Sequence, residues 1–438
     1  MTASISDVLE YIEENDVKFI RLAFCDIFGI QKNISIMPSE LDRAFSEGIS
    51  FDASAFSGFM NIESSDLLLY PDPTTLSILP WRPSHGRVVR FYCDIRYPDG
   101  KPFEGDGRYI LRQAVRRLRQ LNLECTVGPE SEFYLFELDD AGNPTLTPHD
   151  QAGYFDIAPL DRAENVRRQI CLTLEEMGIQ PEASHHEQGP GQHEIDFKYS
   201  NPLRAADNLT TYKWVVKTAA ASNGLFASFL PKPLDGRPGS GLHINLSLFR
   251  DGENVFDQLG QPGSEVGAFI AGILTRAREL SVFLNPLTNS YDRFGEFEAP
   301  RFITWSHQNR SPLIRIPAAS GAMRRMELRS PDGAINPYLA FALLIEAGIE
   351  GLLEKRLLDP PCDRNLFLEE EDAALRYPQL PADLGEALQA AEDSEFLRRI
   401  LPERTLRSYL DAKRAEWERC RAADDLHATE REMYFIRF

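Results

Sequence analysis

Glu130 and Glu132 stand two residues apart in Thr126–Phe136 (TVGPESEFYLF), a spacing that sends both carboxylates to the same side of a strand. Four further segments carry the same kind of side chain. Ser184–Phe197 (SHHEQGPGQHEIDF) holds Glu187 before and Glu194 after a turn at Gly189-Pro190-Gly191. Gly239–Leu248 (GSGLHINLSL) alternates Leu242, Ile244, Leu246 and Leu248 with His243, Asn245 and Ser247. Arg325–Arg329 (RMELR) sets Arg325, Glu327 and Arg329 opposite Met326 and Leu328, and Asn309–Arg315 (NRSPLIR) adds Arg310 and Arg315. A solvated strand face is mostly Thr, Ser, Lys and Gln. Recurrent Glu, His and Arg suit instead a site that holds divalent cations and a polyanion.

Five carboxylates (Glu130, Glu132, Glu187, Glu194 and Glu327) and the imidazole of His243 form a hard, oxygen-rich donor set. Such a set fits Mg²⁺, and its imidazole makes Mn²⁺ acceptable. Without cations, so many carboxylates in one cavity would repel one another and their pKa values would rise. Taken singly, each has an ordinary explanation, such as a solvated strand edge for Glu130 and Glu132 or a hydrogen-bonded histidine for His243. Their joint occurrence selects the metal reading. His185, His186 and His193 flank these ligands and are expected to support them. An HExxH or Cys/His cluster is missing, which disfavours a hydrolytic zinc site.

The same segments resemble glutamine synthetase in its bacterial type I form. The strings that carry the resemblance are GPESEF, HHEQGPGQHEIDF, PKPLDGRPGSGLH, NPLTNSYDRF, NRSPLIRIP and RMELRSPDGAINPYLAF. It covers essentially the whole chain, from VKFIRLAFCDIFG to DRNLF and the helices beyond. The resemblance implies ligation of glutamate and ammonia to glutamine through γ-glutamyl phosphate, with ATP as co-substrate and two or more Mg²⁺ or Mn²⁺ ions in each site. It divides the ligands into Glu132, Glu187 and Glu194 for one metal and Glu130, His243 and Glu327 for the other. It assigns Arg293, Arg310 and Arg329 to glutamate or the acyl phosphate, and Arg310 with Arg315 to the ATP phosphates, where a guanidinium grips bidentately. Gly239 would lie against the substrate. Glu182, Asn245 and Ser247 match nucleotide-binding positions. Asp52, in Phe51-Asp52-Ala53-Ser54, would help deprotonate ammonium in a neighbouring subunit's site, with Tyr154 and Glu298 in the same pocket. Glu298 would ride on a mobile flap that shields the acyl phosphate from water. The implied assembly is a homo-oligomer, a dodecamer of two stacked hexameric rings.

Several positions depart from the family pattern. Ala55 replaces a serine beside the ammonium pocket, Pro238 an asparagine near glutamate, Asn245 the second histidine of HxH, and Ala322 a nucleotide-contacting lysine. The flap run from Arg293 to Glu298 is one residue shorter than usual. Phe367 stands where some relatives carry an adenylylated tyrosine, and Asn61 where some carry an arginine linked to feedback inhibition. These changes leave the acceptor open, so a γ-glutamyl-polyamine or γ-glutamyl-amine ligase is the nearest rival. A non-catalytic scaffold or regulator is the rival from another class.

The elements that must position these groups are legible from periodicity. A short amphipathic helix is expected near the start, with Ser6 as its N-cap and Val8, Leu9 and Ile12 inward. Strand-like segments follow at Val17–Asp26, Gln31–Met37 and Arg87–Ile95. After the turn-rich residues 97–102, helices are expected at Tyr109–Leu121, Asp161–Met177, Arg204–Ala221, Ser264–Leu284, Pro337–Leu353, Leu384–Ala391 and Arg404–Arg421. The pattern predicts an α+β protein: a small mostly β domain over residues 1–100, then a large catalytic domain over 101–438. By resemblance the first is β-grasp-like and the second is built on a curved antiparallel sheet flanked by helices.

Bulk properties narrow the partners. A net charge of −20 argues against nucleic acid or an anionic membrane. The six cysteines are scattered without a CxxC pair, the pattern of reduced thiols, and Met1–Glu14 is too polar for a signal peptide. The most apolar helix, Tyr338–Leu353, contains Glu346 and Glu350 and is short for a bilayer. A cytoplasmic protein is expected.

Overall fold

A computed structural model of the chain describes residues 4–82, 85–261 and 263–438. The first helix, α1 (Ile5–Glu14), buries Val8 and Ile12. Its cap is Ser4 and not Ser6: the Asp7 N–H donates to Ser4 Oγ at 3.1 Å, while the Ser4 N–H donates to Asp7 Oδ2 at 2.8 Å. Ser4 wins because an acidic residue stands three positions on and closes the reciprocal box, whereas Ser6 has Leu9 there.

Six strands make the first sheet: β1 (Val17–Cys25), β2 (Gln31–Ile36), β3 (Ile49–Asp52), β4 (Asp66–Pro71), β5 (Ser77–Ile78) and β6 (Arg87–Arg96), with α2 (Leu41–Ser46) between β2 and β3. Their order is β2-β1-β6-β4-β3, with β5 on β6, and only β1 and β6 run parallel. Alternation in β1 and β6 sends Ile20, Leu22, Val89 and Phe91 into the core. A turn follows β6, closed by the Gly100 N–H donating to Tyr97 O at 2.9 Å. The helix α3 (Gly107–Gln120), capped by Asp106, then begins the larger part of the molecule.

That part is built on a ten-stranded sheet: β7 (Glu124–Leu138), β8 (Pro144–Pro148), β9 (Pro181–His186), β10 (Gln192–Phe197), β11 (Leu225–Ser228), β12 (Leu242–Arg250), β13 (Glu253–Asn254), β14 (Trp305–His307), β15 (Ile314–Ile316) and β16 (Met326–Leu328). The main path is β14-β15-β16-β12-β7-β10-β9, antiparallel except for β14 and β15. Helices flank it: α4 (Glu164–Glu176), α5 (Pro202–Ser222), α6 (Glu265–Leu284), α7 (Pro337–Glu354), α8 (Glu370–Arg376), α9 (Leu384–Glu392), α10 (Glu395–Ile400), α11 (Glu403–Arg421) and α12 (Leu426–Glu430). The helices expected from periodicity are all present, with ends displaced by up to three residues. The short helices α2, α8, α10 and α12 escape that reading because too few turns exist to establish a period.

One core runs through both sheets, from Val8 and Phe91 to Leu246 and Phe341. The two parts are also joined by buried polar contacts. Arg108 pairs with Asp72 at 2.9 Å and with Asp207 at 3.1 Å, and Arg90 Nη2 donates to Thr211 Oγ1 at 3.0 Å. Removing Arg108 would leave Asp207 buried without its cation, so these contacts fix the relation of the two sheets.

Candidate active site

The polar faces of β7, β9, β10, β12 and β16 meet over one cavity because the strand register aligns them. Across β7 and β12, Glu130 is opposite His243; across β7 and β10, Glu132 is opposite Glu194 and Glu130 opposite Asp196. Glu194 in turn faces His185 on β9, and Glu327 on β16 faces both Asn245 on β12 and Arg315 on β15. With a side-chain period of two, a slip of one residue on any strand would turn these groups into the core. Leu242, Ile244, Leu246, Met326 and Leu328 prevent that slip by their burial on the opposite face.

The β9–β10 turn is tight. Gly191 has φ +67°, and a Cβ there would come within 2.8 Å of Leu135 O, so both conformation and space require glycine. Asp150 holds the turn from the side: its Oδ1 accepts from the Gly191 N–H at 3.0 Å and lies 2.9 Å from His186 Nε2. Arg167 Nη1 donates to His193 Nδ1 at 3.0 Å. His186 and His193 therefore brace the hairpin from outside the cavity, as the sequence predicts.

The cavity encloses about 420 Å³. Glu130, Glu132, Glu187, Glu194, His243, Glu327, Arg293, Arg310, Arg315, Arg329, Tyr154, Gly239 and Glu298 all line it. Two donor groups stand out, each with its ligand atoms within 4.8 Å of one another. One is Glu130, His243 and Glu327; the other is His185, Glu187 and Glu194. Glu132, expected with the second, instead accepts on Oε2 from Gln192 Nε2 and the Gly241 N–H, both at 2.9 Å. His185 takes its place, donating to Glu187 at 2.8 Å and lying 3.7 Å from Glu194.

Electrostatics match a site built for cations. Burial and the neighbouring Asp196, Glu132 and Glu130 push the Glu194 carboxyl well above its ordinary range. Burial and Glu187 raise Glu132, and burial with Glu130 raises Asp196 to about 6. Glu327 moves the other way. Burial alone would raise it, but His243, Arg329 and Arg315 hold it at about 2. Its two oxygens accept from Arg315 Nη1 at 2.5 Å and Arg329 Nη1 at 2.6 Å, with His243 Nδ1 at 3.7 Å. The donor set fits a divalent metal: oxygen-rich, carboxylate-crowded and held by register.

Among the cations, Arg293 is buried and donates from Nη1 to Ser330 O at 2.9 Å, while its Nε has no hydrogen-bond partner. Arg310 is half-exposed, 3.8 Å from Glu298 Oε2. Arg329 Nη2 reaches the Glu298 carbonyl at 3.2 Å. Phe297 and Glu298 both have positive φ, +46° and +68°, so this rim loop is strained. Gly239 is required by the protein itself: a Cβ there would meet Pro231 O at 2.4 Å and Arg293 Cγ at 2.5 Å. Tyr154 is exposed at the rim and stacks on Phe155.

A second, smaller cavity of about 60 Å³ adjoins the first and shares Glu130, Asp196 and Arg325 with it. Glu182, Asn245, Ser247 and Ala322 line it. Asp52 lies elsewhere. It is exposed, accepts from the Ser54 N–H at 3.0 Å and Ser54 Oγ at 2.6 Å, and does not line its own chain's cavity.

Sequence reasoning missed Gln192 and Asp196, and gave Arg325 no role. All three sit two residues from a ligand on the same strand face, so the alternation that identified Glu194 and Glu327 carries them too. Arg325 Nε donates to Asn245 Oδ1 at 2.8 Å, tying the two cavities together.

Comparison with known proteins places this geometry. The family profile described as "Glutamine synthetase, catalytic domain" matches residues 104–434, and "Glutamine synthetase, beta-Grasp domain" matches residues 16–98. A glutamine synthetase of Methanosarcina mazei is 49% identical over 426 residues, covering 95% of this chain and 94% of its own. One from Thermus thermophilus is 45% identical over 446 residues, covering 99% of each chain. A solved structure titled "GmaS/ADP complex-Conformation 1" superposes with a TM-score of 0.87 at 30% identity, covering 99% of each chain.

Proposed function

The chain belongs to the glutamine synthetase family and is a glutamate–ammonia ligase, and we propose that its reaction runs through γ-glutamyl phosphate at a site of two metals. The family uses ATP and a divalent metal. Here Glu130, His243 and Glu327 would hold one ion, and Glu132, Glu187 and Glu194 the other, with His185 yielding its contacts to Glu187 and Glu194. Bound there, Mg²⁺ or Mn²⁺ would neutralise the phosphate charges and the crowded carboxylates.

The chain's own groups do the rest. Arg293 and Arg329 orient glutamate so that its γ-carboxylate oxygen faces the γ-phosphorus of ATP. Arg310 and Arg315 balance charge on the phosphoryl group as the bond to ADP breaks and γ-glutamyl phosphate forms. Glu182, Asn245 and Ser247 line the smaller cavity and receive the nucleotide. Glu298, on its strained loop, keeps water from the acyl phosphate. Tyr154, Glu187, Glu298 and a neighbouring subunit's Asp52 make an anionic pocket for ammonium. Asp52 takes one proton from ammonium, the nitrogen attacks the acyl carbon, and phosphate leaves carrying the second proton of the tetrahedral adduct.

Family resemblance supports a homo-oligomer, a dodecamer of two stacked hexameric rings, and Asp52, exposed and not lining its own chain's cavity, is free to complete the adjacent site. The turn at residues 97–100 supports a β-grasp-like domain over residues 1–100 and a catalytic domain over 101–438. Cytoplasmic residence fits the free cysteines; among the described residues no helix is long and apolar enough to cross a membrane.

The single observation that carries the two-metal reading is the strand register that gathers Glu130, Glu132, Glu194, His243 and Glu327 over one cavity, which Glu187 and these four arginines also line. The test is phosphate release from ATP and glutamate with ammonium, putrescine, spermidine, ethylamine or no amine. Ammonium should give the fastest release. Rapid release with putrescine or ethylamine and almost none with ammonium would move the acceptor to larger amines; no release with any amine would favour a scaffold.

A further inference from the structure

Away from the active site, Asp292, His427 and Glu430 bring a carboxylate, an imidazole and a second carboxylate together, with ligand atoms within 4.8 Å of one another. His427 and Glu430 are three residues apart on α12, the spacing that places two side chains on one helix face. Asp292 comes from the short 3₁₀ helix Thr288–Arg293 that precedes the rim loop. Asp292 and His427 are exposed, but Glu430 is only 2% exposed and its Oε2 is buried without a hydrogen-bond partner. Its ion-pair contact is His427 Nδ1 at 3.4 Å.

Two carboxylates this close need a positive charge between them. Among the described residues, no lysine or arginine forms an ion pair with Asp292 or Glu430; the nearby Lys232 is bound to Glu296 at 3.1 Å. A buried carboxylate oxygen left without a partner is costly, and a cation on the cluster would satisfy it.

We propose that Asp292, His427 and Glu430 form a binding site for a transition-metal dication of the Zn²⁺ class. Two carboxylates and one imidazole are a donor set that Zn²⁺ takes readily, and three protein ligands leave a position for water. The ion would clip α12 to the short helix that ends at Arg293. Just beyond Glu430, Phe435 packs edge-on against Phe136 of β7 at 5.4 Å, which fixes the position of α12 beside the larger sheet.

The test uses the full-length oligomer with the oxygen-rich active site held in saturating Mg²⁺. Zn²⁺ is titrated into wild type, His427→Ala and Asp292→Asn, and bound zinc per chain and Tm are read. Both substitutions are at exposed positions outside the active site, so folding should survive. Wild type should bind one more Zn²⁺ per chain than either variant and gain a Zn²⁺-dependent rise in Tm that both variants lose. Co²⁺ should give a visible absorption band in wild type alone. Equal zinc content and equal Tm response in all three would overturn the site. Stabilisation of wild type by acid alone, with no response to Zn²⁺ or Co²⁺, would overturn it too, showing that the two carboxylates share a proton.

Discussion

Replacing Glu327 by alanine tests the active-site reading on two independent axes. The carboxylate is buried between Arg315 Nη1 at 2.5 Å and Arg329 Nη1 at 2.6 Å, and belongs to the donor group with Glu130 and His243. Its pKa of about 2, against an ordinary 4.5, corresponds to about 3 kcal/mol in favour of the charged form. Deleting it leaves the buried guanidinium of Arg329 uncompensated, which in comparable pairs costs about 3–5 kcal/mol. Metal-free Glu327→Ala should therefore be less stable by about 3 kcal/mol in urea unfolding, the lower end of that range because Arg315 can turn towards solvent. Because the folded pKa is depressed, this contribution is fully present above the unfolded value and lost as pH falls towards 2. The deficit should be flat from pH 6 to 8 and shrink below about pH 4.5. Turnover should fall at least about 10²-fold, the scale for losing one charge-stabilising group at a reacting phosphoryl centre. Phosphate release at limiting and saturating Mg²⁺ is the assay, with His243→Ala in parallel. Near-normal turnover of both variants at limiting Mg²⁺ would refute the ligand role; an unchanged unfolding free energy would refute the ion-pair accounting.

Four further outcomes are expected. Chains carrying Asp52→Ala mixed with chains carrying Glu327→Ala should regain part of the activity in co-assembled rings; no rescue despite proven co-assembly would show that each subunit builds its own site. Ala55→Ser should lower the apparent KM for ammonium, because the added hydroxyl can supply one hydrogen bond, about 1 kcal/mol, in the pocket served by Asp52; an unchanged KM would displace residue 55 from that pocket. Burial and carboxylate neighbours raise Glu194, Glu132 and Asp196, the last to about 6, so protons compete with a metal there and Mg²⁺ affinity by calorimetry should weaken as pH falls through that value. The same raised carboxyls stabilise the metal-free protein at low pH and cease to do so as pH rises through their folded values, so the Tm gap between loaded and metal-free forms should widen as pH rises through about 6.

Local pattern was enough for much of this protein. The apolar alternation of Leu242, Ile244, Leu246 and Leu248 determines which face of β12 carries His243, and the same period pairs Glu130 with Glu132. Helical periodicity located α3 to α7, α9 and α11, because each spans enough turns to show its buried stripe. These features rest on side-chain spacing within one element, which is written in the chain. Family resemblance, not periodicity, selected ATP, glutamate and the division of the ligands.

Tertiary structure decided what depends on register between distant strands. Only pairing across β7, β10 and β12 sets Asp196 beside Glu130, and only β15 against β16 fixes Arg315 on Glu327. The choice of Ser4 over Ser6 as cap turned on a reciprocal bond to Asp7, and the need for glycine at 239 on the approach of Pro231 and Arg293. The cluster of Asp292, His427 and Glu430 joins residues more than a hundred positions apart and has no sequence signature at all. Burial and long-range contact set charge states and partners, and neither is a property of a segment read alone.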